Sequence, residues 1–293
     1  MVPPNAGIAK STMPPRIVIF TDLDGTLIQH EDYSFAPVKP LLRKLQSKRI
    51  PVVLASSKTR TEIEYYRREM KLTDPFIVEN GGAIVIPRGY FEPQFLRRHL
   101  AHLQNRGSYA CVQLGRPYEE LIKVFDEIRA ESGVPIVGFH QMDLHEIVQH
   151  TGLDRRQARL AARREYDEPF LIPGNPSAGT VRTVKSLATK RGCRVVKGGR
   201  FYHLTGKATK GQAVRALMQI YRVSHQIQVF IGLGDSENDL SLLDAVNVPI
   251  LMAKPDGTFD ATILRRIPSV KRALAGPAGW LQIVSALLRQ QAT

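Results

Sequence analysis

The pattern of apolar and polar positions predicts alternating strands and helices over residues 17–86. Short apolar runs alternate there with segments in which apolar residues recur every three or four positions. The predicted strands are 17–20, 50–55, 76–78 and 83–86, and the predicted helices are 38–48 and 62–70. Such alternation is typical of a parallel sheet whose helices form right-handed crossovers.

The same alternation returns toward the end of the chain. Predicted helices cover 209–221, 237–245 and 280–288, and predicted strands cover 228–232 and 248–252. The intervening pattern is different, with predicted helices at 118–132, 143–150, 154–165 and 177–191, and short strands at 193–197 and 201–204. This middle stretch is interpreted as a second unit inserted into the first.

The fold prediction is therefore an α/β protein with a doubly wound, mostly parallel sheet and an inserted smaller α/β cap domain. The predicted core domain comprises residues 17–88 and 207–293, and the predicted cap comprises 89–206. Hinges between them are expected near Gly89 and Gly206. The proline-rich segment 1–16 is expected to form a flexible tail.

The charge balance narrows the classes of partner. Forty-one basic and 27 acidic residues give a net charge of +14, which attracts polyanions or small anionic substrates. The densest basic run, Arg155, Arg156, Arg159, Arg163 and Arg164, has helical spacing and is interpreted as a solvated helix face. This dispersed charge does not favour nucleic acid, which would need a concentrated patch with stacking aromatics.

Cysteine spacing and hydropathy predict the setting of the protein. Cys111 and Cys193 lie far apart, so that neither a disulfide framework nor a zinc site is indicated. No run of 18 apolar residues is present, and the first 16 residues lack the apolar segment of a secretory signal. A cytoplasmic protein is expected, as a monomer or homodimer.

Two pairs of acids mark the candidate chemistry. Asp22 and Asp24 follow the first apolar strand, and Asp235 and Asp239 follow the strand predicted at 228–232. The carboxyl ends of parallel strands form the ligand-binding edge of an open sheet. Carboxylates gathered there repel one another unless a cation lies between them, which indicates a hard divalent ion such as Mg²⁺.

A hydroxyl and a lysine complete the pattern. Ser56 follows the second strand, where it can bind a phosphate oxygen or simply cap a helix. Lys210 opens a predicted helix and can neutralise a phosphoryl group, although Lys207 is a rival and an ordinary surface lysine is also possible. Their order along the chain is acid pair, hydroxyl, lysine, acid pair.

That order resembles the haloacid dehalogenase superfamily of phosphohydrolases, in its subclass with a large α/β (C2B) cap. Several short sequence segments further resemble motifs of the mannosyl-3-phosphoglycerate phosphatase family. They are TDLDGTL at 21–27, SSKTR at 56–60, ENGGAI at 79–84, REYDEPF at 164–170, GGRFYHL at 198–204 and GDSEND at 234–239. The two segments in the predicted cap, at 164–170 and 198–204, narrow the resemblance to this family.

The resemblance implies a role for each core residue. Asp22 is the nucleophile and a Mg²⁺ ligand, and Asp24 is the general acid and base whose backbone carbonyl binds the metal. Ser56 binds the transferring phosphoryl group and Lys210 neutralises it. Asp235 ligates Mg²⁺, and Asp239 lies in or next to the coordination sphere. The implied activity is Mg²⁺-dependent hydrolysis of mannosyl-3-phosphoglycerate during mannosylglycerate synthesis.

Candidates for substrate binding lie in both predicted domains. A phosphorylated sugar acid carries a carboxylate as well as a phosphate, so that basic and polar side chains are expected around it. The candidates are Ser57, Lys58, Arg60, Asn80, Gly81, Glu168, Arg200, His203 and Asn238. His203 is equally explained by packing in the cap, Asn80 by its turn, and Glu168 by a surface position.

Three alternatives remain open from the sequence. A related phosphatase for glucosyl-3-phosphoglycerate or sucrose phosphate would share every catalytic residue and differ in the cap. A phosphomutase would pass the phosphoryl group to a second sugar hydroxyl. A basic binding protein for RNA or an acidic partner, without enzymatic activity, would have no need to hold four acids together.

Overall fold

The structure is a computed structural model, which describes residues 17–29 and 32–290. The tail expected at 1–16 lies outside the described residues. Two sheets organise the described part of the chain, one of nine strands and one of four. Among the residues described, no helix combines the length and apolar character needed to cross a membrane.

The larger sheet forms the core domain. In spatial order its strands are β13 (Lys271–Ala273), β12 (Val248–Met252), β11 (Val229–Gly234), β1 (Ile17–Thr21), β2 (Val52–Ala55), β3 (Phe76–Val78), β4 (Ala83–Pro87), β6 (Tyr109–Gln113) and β5 (Leu103–Arg106). The pairs from β13 to β3 are parallel, and β4, β6 and β5 add antiparallel pairs. The doubly wound, mostly parallel sheet is thus confirmed.

Helices cover both faces of this sheet. They are α1 (Lys39–Ser47), α2 (Arg60–Met70), α3 (Pro93–His99), α8 (Lys210–His225), α9 (Leu240–Ala245), α10 (Ala261–Arg266) and α11 (Gly276–Gln290). Side chains alternate along β1, so that Ile19 packs with Trp280 in one apolar cluster and Phe20 packs with Tyr221 in a second. Burial on both faces explains why β1 is a continuous apolar run.

The four-stranded sheet forms the cap domain. Its antiparallel strands, in spatial order, are β7 (Val137–Gly138), β8 (Asp167–Leu171), β10 (Tyr202–Thr205) and β9 (Arg194–Lys197). Its helices are α4 (Tyr118–Ser132), α5 (Leu144–Thr151), α6 (Arg155–Ala161) and α7 (Ala178–Lys190). Helices α4 and α7 pack with β8 in one apolar cluster, and α5 and α6 pack around Phe139 in another.

The insertion begins later in the chain than the predicted residue 89. Strands β5 and β6 pair with each other, and β6 pairs with β4, so that the large sheet continues through Gln113. The sequence of β5, LQNR, lacks the apolar run that marks a buried strand. We therefore propose a cap of about 117–205, with chain crossings near Arg116 and Gly206 and none at Gly89.

The helix predicted at 154–165 also ends early. Helix α6 stops at Ala161, and residues 162–166 form an irregular connection into β8. This connection runs along the boundary between the two domains, where the backbone N–H groups of Glu165 and Tyr166 donate to the buried Glu79 carboxylate of the core. Pairing with a core side chain thus replaces the last predicted helical turn.

Candidate active site

Three neighbouring parallel strands deliver polar residues to one edge of the core sheet. Asp22 follows β1, Ser56 follows β2 and Asp235 follows β11. Lys210 is the first residue of α8, whose start is fixed by Thr209 through a reciprocal cap with Gln212. Parallel strands end at the same side of a sheet, and therefore these distant segments converge there.

A buried lysine joins the two acid pairs. Lys210 Nζ lies 2.7 Å from Asp22 Oδ1 and 2.6 Å from Asp239 Oδ1. The other oxygen of Asp239, Oδ2, accepts a hydrogen bond of 3.0 Å from the backbone N–H of Asp235. Gly234 permits this approach, because a Cβ atom there would lie 2.4 Å from Asp239 Cβ. Asp22, Asp239, Asp235 and Lys210 thus form one compact cluster.

This cluster has the charge and donor atoms of a metal site. One carboxylate oxygen from each of Asp22, Asp235 and Asp239 lies within 4.8 Å of the other two, and all three residues are buried. Burial and the charge of Asp239 raise the pKa of Asp22 well above its usual value, although Lys210 opposes this. A single ammonium does not balance three buried carboxylates, and hard oxygen ligands suit a divalent cation such as Mg²⁺.

Asp24 lies beside a second buried lysine. Lys58 Nζ is 3.1 Å from Asp24 Oδ1 and 3.6 Å from Glu62 Oε1. Burial alone would lower the pKa of Lys58, but Asp24 and Glu62 raise it overall. Within the described ranges, the buried Asp24 Oδ1 has no aligned hydrogen bond. Its charge partner is the Lys58 ammonium, and both residues of this ion pair line the pocket described next.

A pocket between the domains opens above the acids. The predicted residues that line it are Asp22, Asp24, Ser57, Lys58, Arg200, His203, Asp235 and Asn238. Lys210 and Asp239 are buried beside it and reach it through Asp22 and Asp235. The Ser56 hydroxyl is also buried and accepts a hydrogen bond of 3.2 Å from the N–H of Lys58, but the residue that caps α2 is Thr59 and not Ser56.

A chain of hydrogen bonds connects the cap to the loop that follows β11. His203 Nδ1 lies 2.9 Å from Asp167 Oδ1, and Asn80 Nδ2 donates to Asp167 Oδ2 at 2.6 Å. Asn238 Nδ2 donates in turn to Asn80 Oδ1 at 3.1 Å. Asn80 therefore acts on the pocket through its partners and does not line it.

Besides Asn80, three of the predicted substrate-binding residues lie away from the pocket. Arg60 pairs with Glu64 and Glu165 on the outer side of α2, because those acids share its helix face or border it. Gly81 packs against the backbone of Thr209, where a Cβ atom would lie only 2.3 Å from its carbonyl carbon. These contacts correct both assignments and give the two residues structural roles.

Glu168 is the third residue that the structure corrects. Strand alternation places it on the face of β8 that carries Phe170, opposite to Asp167 and Pro169. It is fully buried, and it accepts hydrogen bonds from the Tyr118 hydroxyl at 2.6 Å and from the backbone N–H of His140 at 3.2 Å. Glu168 is therefore neither a surface acid nor a ligand of the pocket.

The sequence analysis did not predict several of the side chains that line the pocket. Pocket-lining residues that were not predicted include Tyr33, Phe139, Arg164 and Phe201. The Tyr33 hydroxyl donates to the carbonyl of Thr151 at 3.0 Å, and so ties the core to the cap. Asp167 could have been found, because period-two alternation separates it from Glu168 once 167–171 is read as a strand. No local pattern marks Tyr33.

Comparison with known proteins identifies the family of this fold and site. A model of haloacid dehalogenase-like hydrolases matches residues 19–92. The glucosyl-3-phosphoglycerate/mannosyl-3-phosphoglycerate phosphatase of Methanococcoides burtonii is 42% identical over 272 residues, which cover 92% of this chain and 97% of the relative. The chain belongs to the mannosyl-3-phosphoglycerate phosphatase family. The mannosyl-3-phosphoglycerate phosphatase of Pyrococcus furiosus is 36% identical, covering 80% of this chain and 90% of that relative.

Solved structures share the architecture of this family member. A subclass IIB sugar phosphatase of the haloacid dehalogenase superfamily superposes with a TM-score of 0.62 at 16% identity, covering 92% of this chain and 98% of the other. The sucrose-phosphatase of Synechocystis, in complex with sucrose and phosphate, gives 0.59 at 13% identity, with 92% and 97% covered. At these identities the likeness concerns the fold alone.

Proposed function

We propose that this chain is a Mg²⁺-dependent phosphatase that converts mannosyl-3-phosphoglycerate into mannosylglycerate and phosphate. The observation that carries the proposal is the buried cluster of Asp22, Asp235, Asp239 and Lys210 beneath a pocket enclosed by the cap. The names of the relatives at 42% and 36% identity supply the substrate class.

In the proposed first step, an oxygen of Asp22 forms a bond to phosphorus while the bond from phosphorus to the leaving oxygen breaks. Asp24 donates a proton to that leaving oxygen, which departs as the hydroxyl of the sugar acid. Lys210 balances charge on Asp22 and on the phosphoryl oxygens. The product on the enzyme is an aspartyl phosphate.

In the second step, Asp24 accepts a proton from a water molecule whose oxygen forms a bond to phosphorus, while the bond from phosphorus to the Asp22 oxygen breaks; phosphate leaves and the Asp22 carboxylate is restored. Asp22, Asp235, the backbone carbonyl of Asp24 and the adjoining Asp239 would hold a Mg²⁺, which would supply charge neutralisation of the phosphoryl oxygens. The cap excludes bulk water from the pocket, and its bonds to the core at Tyr33 and Asn80 hold it in place.

Phosphate release across a panel of esters tests this proposal. The panel comprises mannosyl-3-phosphoglycerate, glucosyl-3-phosphoglycerate, sucrose phosphate and p-nitrophenyl phosphate, each with Mg²⁺ and with a chelator. We expect turnover to be highest for a glycosyl phosphoglycerate and to disappear with the chelator. Asp22→Asn serves as the control for contaminating phosphatases, with an expected loss on the order of 10⁴-fold or more.

The panel also separates the alternatives. Glucosyl-3-phosphoglycerate is a specific second candidate, because the relative at 42% identity carries both substrates in its name. A bisphosphate product without free phosphate would indicate a phosphomutase. Nucleic-acid binding with steep salt dependence and no Mg²⁺-dependent turnover would indicate a basic binding protein.

We also propose a cytoplasmic location for this enzyme. Both Cys111 and Cys193 are buried free thiols in the structure, which suits a reducing compartment. Reaction of the folded and unfolded protein with a thiol reagent after purification without reductant tests this. Two thiols are expected once the protein is unfolded, and a lower number would contradict the proposal.

A further inference from the structure

One arginine of the densest basic run differs from the others. Arg155, Arg156, Arg159 and Arg163 are exposed, as expected for a solvated helix face. Arg164 is partly buried and lines the pocket that also contains Asp22 and Asp24. The interpretation of the whole run as a solvated face is therefore wrong for this one residue, which follows the early end of α6.

Both domains hold the guanidinium of Arg164. Its Nε donates to the carbonyl of Ala161 in the cap, and its Nη1 donates to the carbonyl of Ser57 in the core, each at 2.8 Å. The group also lies 5.4 Å from the centre of the Phe139 ring. A guanidinium has five N–H donors, so that these contacts fix its plane and leave most of its donors available.

No carboxylate pairs with Arg164 among residues 17–29 and 32–290. The acids whose charge reaches it have partners of their own: Glu62 binds the N–H of Thr59, Asp167 binds His203, and Glu79 binds two backbone N–H groups. Burial alone would lower the pKa of Arg164, but these three acids raise it overall, and the group stays charged. A fixed cation without an ion-pair partner thus faces the pocket.

The other cations of the pocket are less suited to a second anion. Lys58 forms ion pairs with Asp24 and Glu62, and Lys210 forms ion pairs with Asp22 and Asp239. Arg200 is exposed at the rim and donates to the carbonyl of Thr151. A substrate with two anionic groups needs a cation for the group that does not react, and within residues 17–29 and 32–290 Arg164 is the pocket cation that remains.

We propose that Arg164 binds the carboxylate of the substrate and is the residue that selects phosphoglycerate esters over other phosphate esters. This inference rests on the proposed function and deepens it. The planar fork of the guanidinium matches a carboxylate through two parallel hydrogen bonds. Because Arg164 is held by both Ala161 and Ser57, the carboxylate is bound in full only when cap and core are together.

The test compares two esters that differ only in this anionic group. One is mannosyl-3-phosphoglycerate, and the other is the matched mannosyl glycerol phosphate, in which a CH₂OH group replaces the carboxylate. For Arg164→Gln we expect kcat/KM to fall about 100-fold on the first ester, mainly through KM, and by less than about 3-fold on the second. Arg163→Gln, an exposed neighbour, is the matched control and leaves both values unchanged.

A second variant, Arg164→Lys, provides the test if Arg164→Gln does not fold. Arg164→Lys retains the positive charge but loses the planar fork, so that the preference for the carboxylate ester should fall about 10-fold. Circular dichroism melts establish that each variant is folded. Full retention of the preference in either folded variant, or an equal loss on both esters, would overturn the proposal.

The outcomes also separate this inference from the proposed function. If the unaltered enzyme does not favour the carboxylate ester, the proposed function itself fails, and the role of Arg164 fails with it. If the unaltered enzyme favours that ester and Arg164→Gln still does so, the proposed function stands and only the role of Arg164 is refuted.

Discussion

The two halves of the pocket are built in different ways. In the core half, Asp22 and Asp235 each stand directly after a strand of one sheet, and Lys210 begins a helix beside them. In the cap half, His203 lies on a strand, Phe139 begins a three-residue 3-10 helix, and Arg164 lies on the irregular connection into β8. The core half is thus fixed by the ends of regular elements, whereas the cap half depends on how separate segments pack.

This difference in construction matches a division of roles: we expect the core half to carry out the reaction and the cap half to select the substrate. The core groups are buried and contact one another directly, and any phosphate ester that reaches Asp22 meets the same groups. The cap groups can only act on the part of the substrate that differs between esters. We therefore expect core variants to lower turnover on every ester, and cap variants to lower it only on large, carboxylate-bearing ones.

After Asp22→Asn, the largest effect is expected from Lys210→Met in the core half. The change leaves Asp22 and Asp239 buried without their shared cation, so that kcat should fall about 10²- to 10³-fold on every ester. Lys207→Met is the matched control, because Lys207 is exposed. Steady-state kinetics on p-nitrophenyl phosphate and on mannosyl-3-phosphoglycerate provide the measurement. A loss confined to one ester would contradict the division between the halves.

A smaller and more selective effect is expected from Asp167→Asn in the cap half. The variant weakens the bond that orients His203, so that KM for the glycosyl phosphoglycerate should rise about 10-fold. Turnover of p-nitrophenyl phosphate should not change. Asp154→Asn, exposed in the cap and still able to cap α6, is the control. Equal losses on both esters would make Asp167 a purely structural residue.

The contact between the halves can be weakened on its own. Tyr33→Phe removes the hydrogen bond to the carbonyl of Thr151, and we expect kcat/KM on the large ester to fall about 2- to 10-fold. Tyr65→Phe, on the nearby helix α2, provides a control. A result in which the two variants behave alike would show that the bond across the boundary does not contribute to catalysis.

Glu79, at the boundary between core and cap, is expected to make the stability of the folded chain depend on pH. Burial raises the pKa of Glu79 to about 8, and Asp167 adds to this, while Arg164 opposes it. The folded chain therefore binds a proton that the unfolded chain releases, and stability falls as the pH rises from the ordinary glutamate range to about 8. Urea unfolding from pH 5 to 9 should show a shallower decline for Glu79→Gln. Parallel declines would contradict this origin.

The sequence was sufficient for the core half because its chemistry is local. TDLDGTL and GDSEND each combine an apolar strand, a turn and an acid within a few residues, and the strand order brings them together. The sheet itself was predicted for the same reason, except for β13 at one edge and for β5 and β6 at the other. Those strands pair at an exposed edge, where polar residues such as those of β5 do not produce an apolar pattern.

The cap half was less accessible because its side chains are selected by tertiary packing. Glu168 and Asp167 are adjacent acids, and only the orientation of β8 decides which of them faces the pocket. Arg164 was assigned to a helix face because nothing local ends α6 at Ala161. Its inward position follows from backbone carbonyls that are 3 and 107 positions away in the chain.

The place where the chain leaves and re-enters the core has a consequence for how such enzymes diversify. The two crossings touch, since a Cβ atom on Gly206 would lie 3.0 Å from the backbone nitrogen of Arg116. Adjacent ends are the condition under which a whole domain can be exchanged without disturbing its host. A different cap domain inserted at this point would allow the same core residues to hydrolyse a different set of phosphate esters.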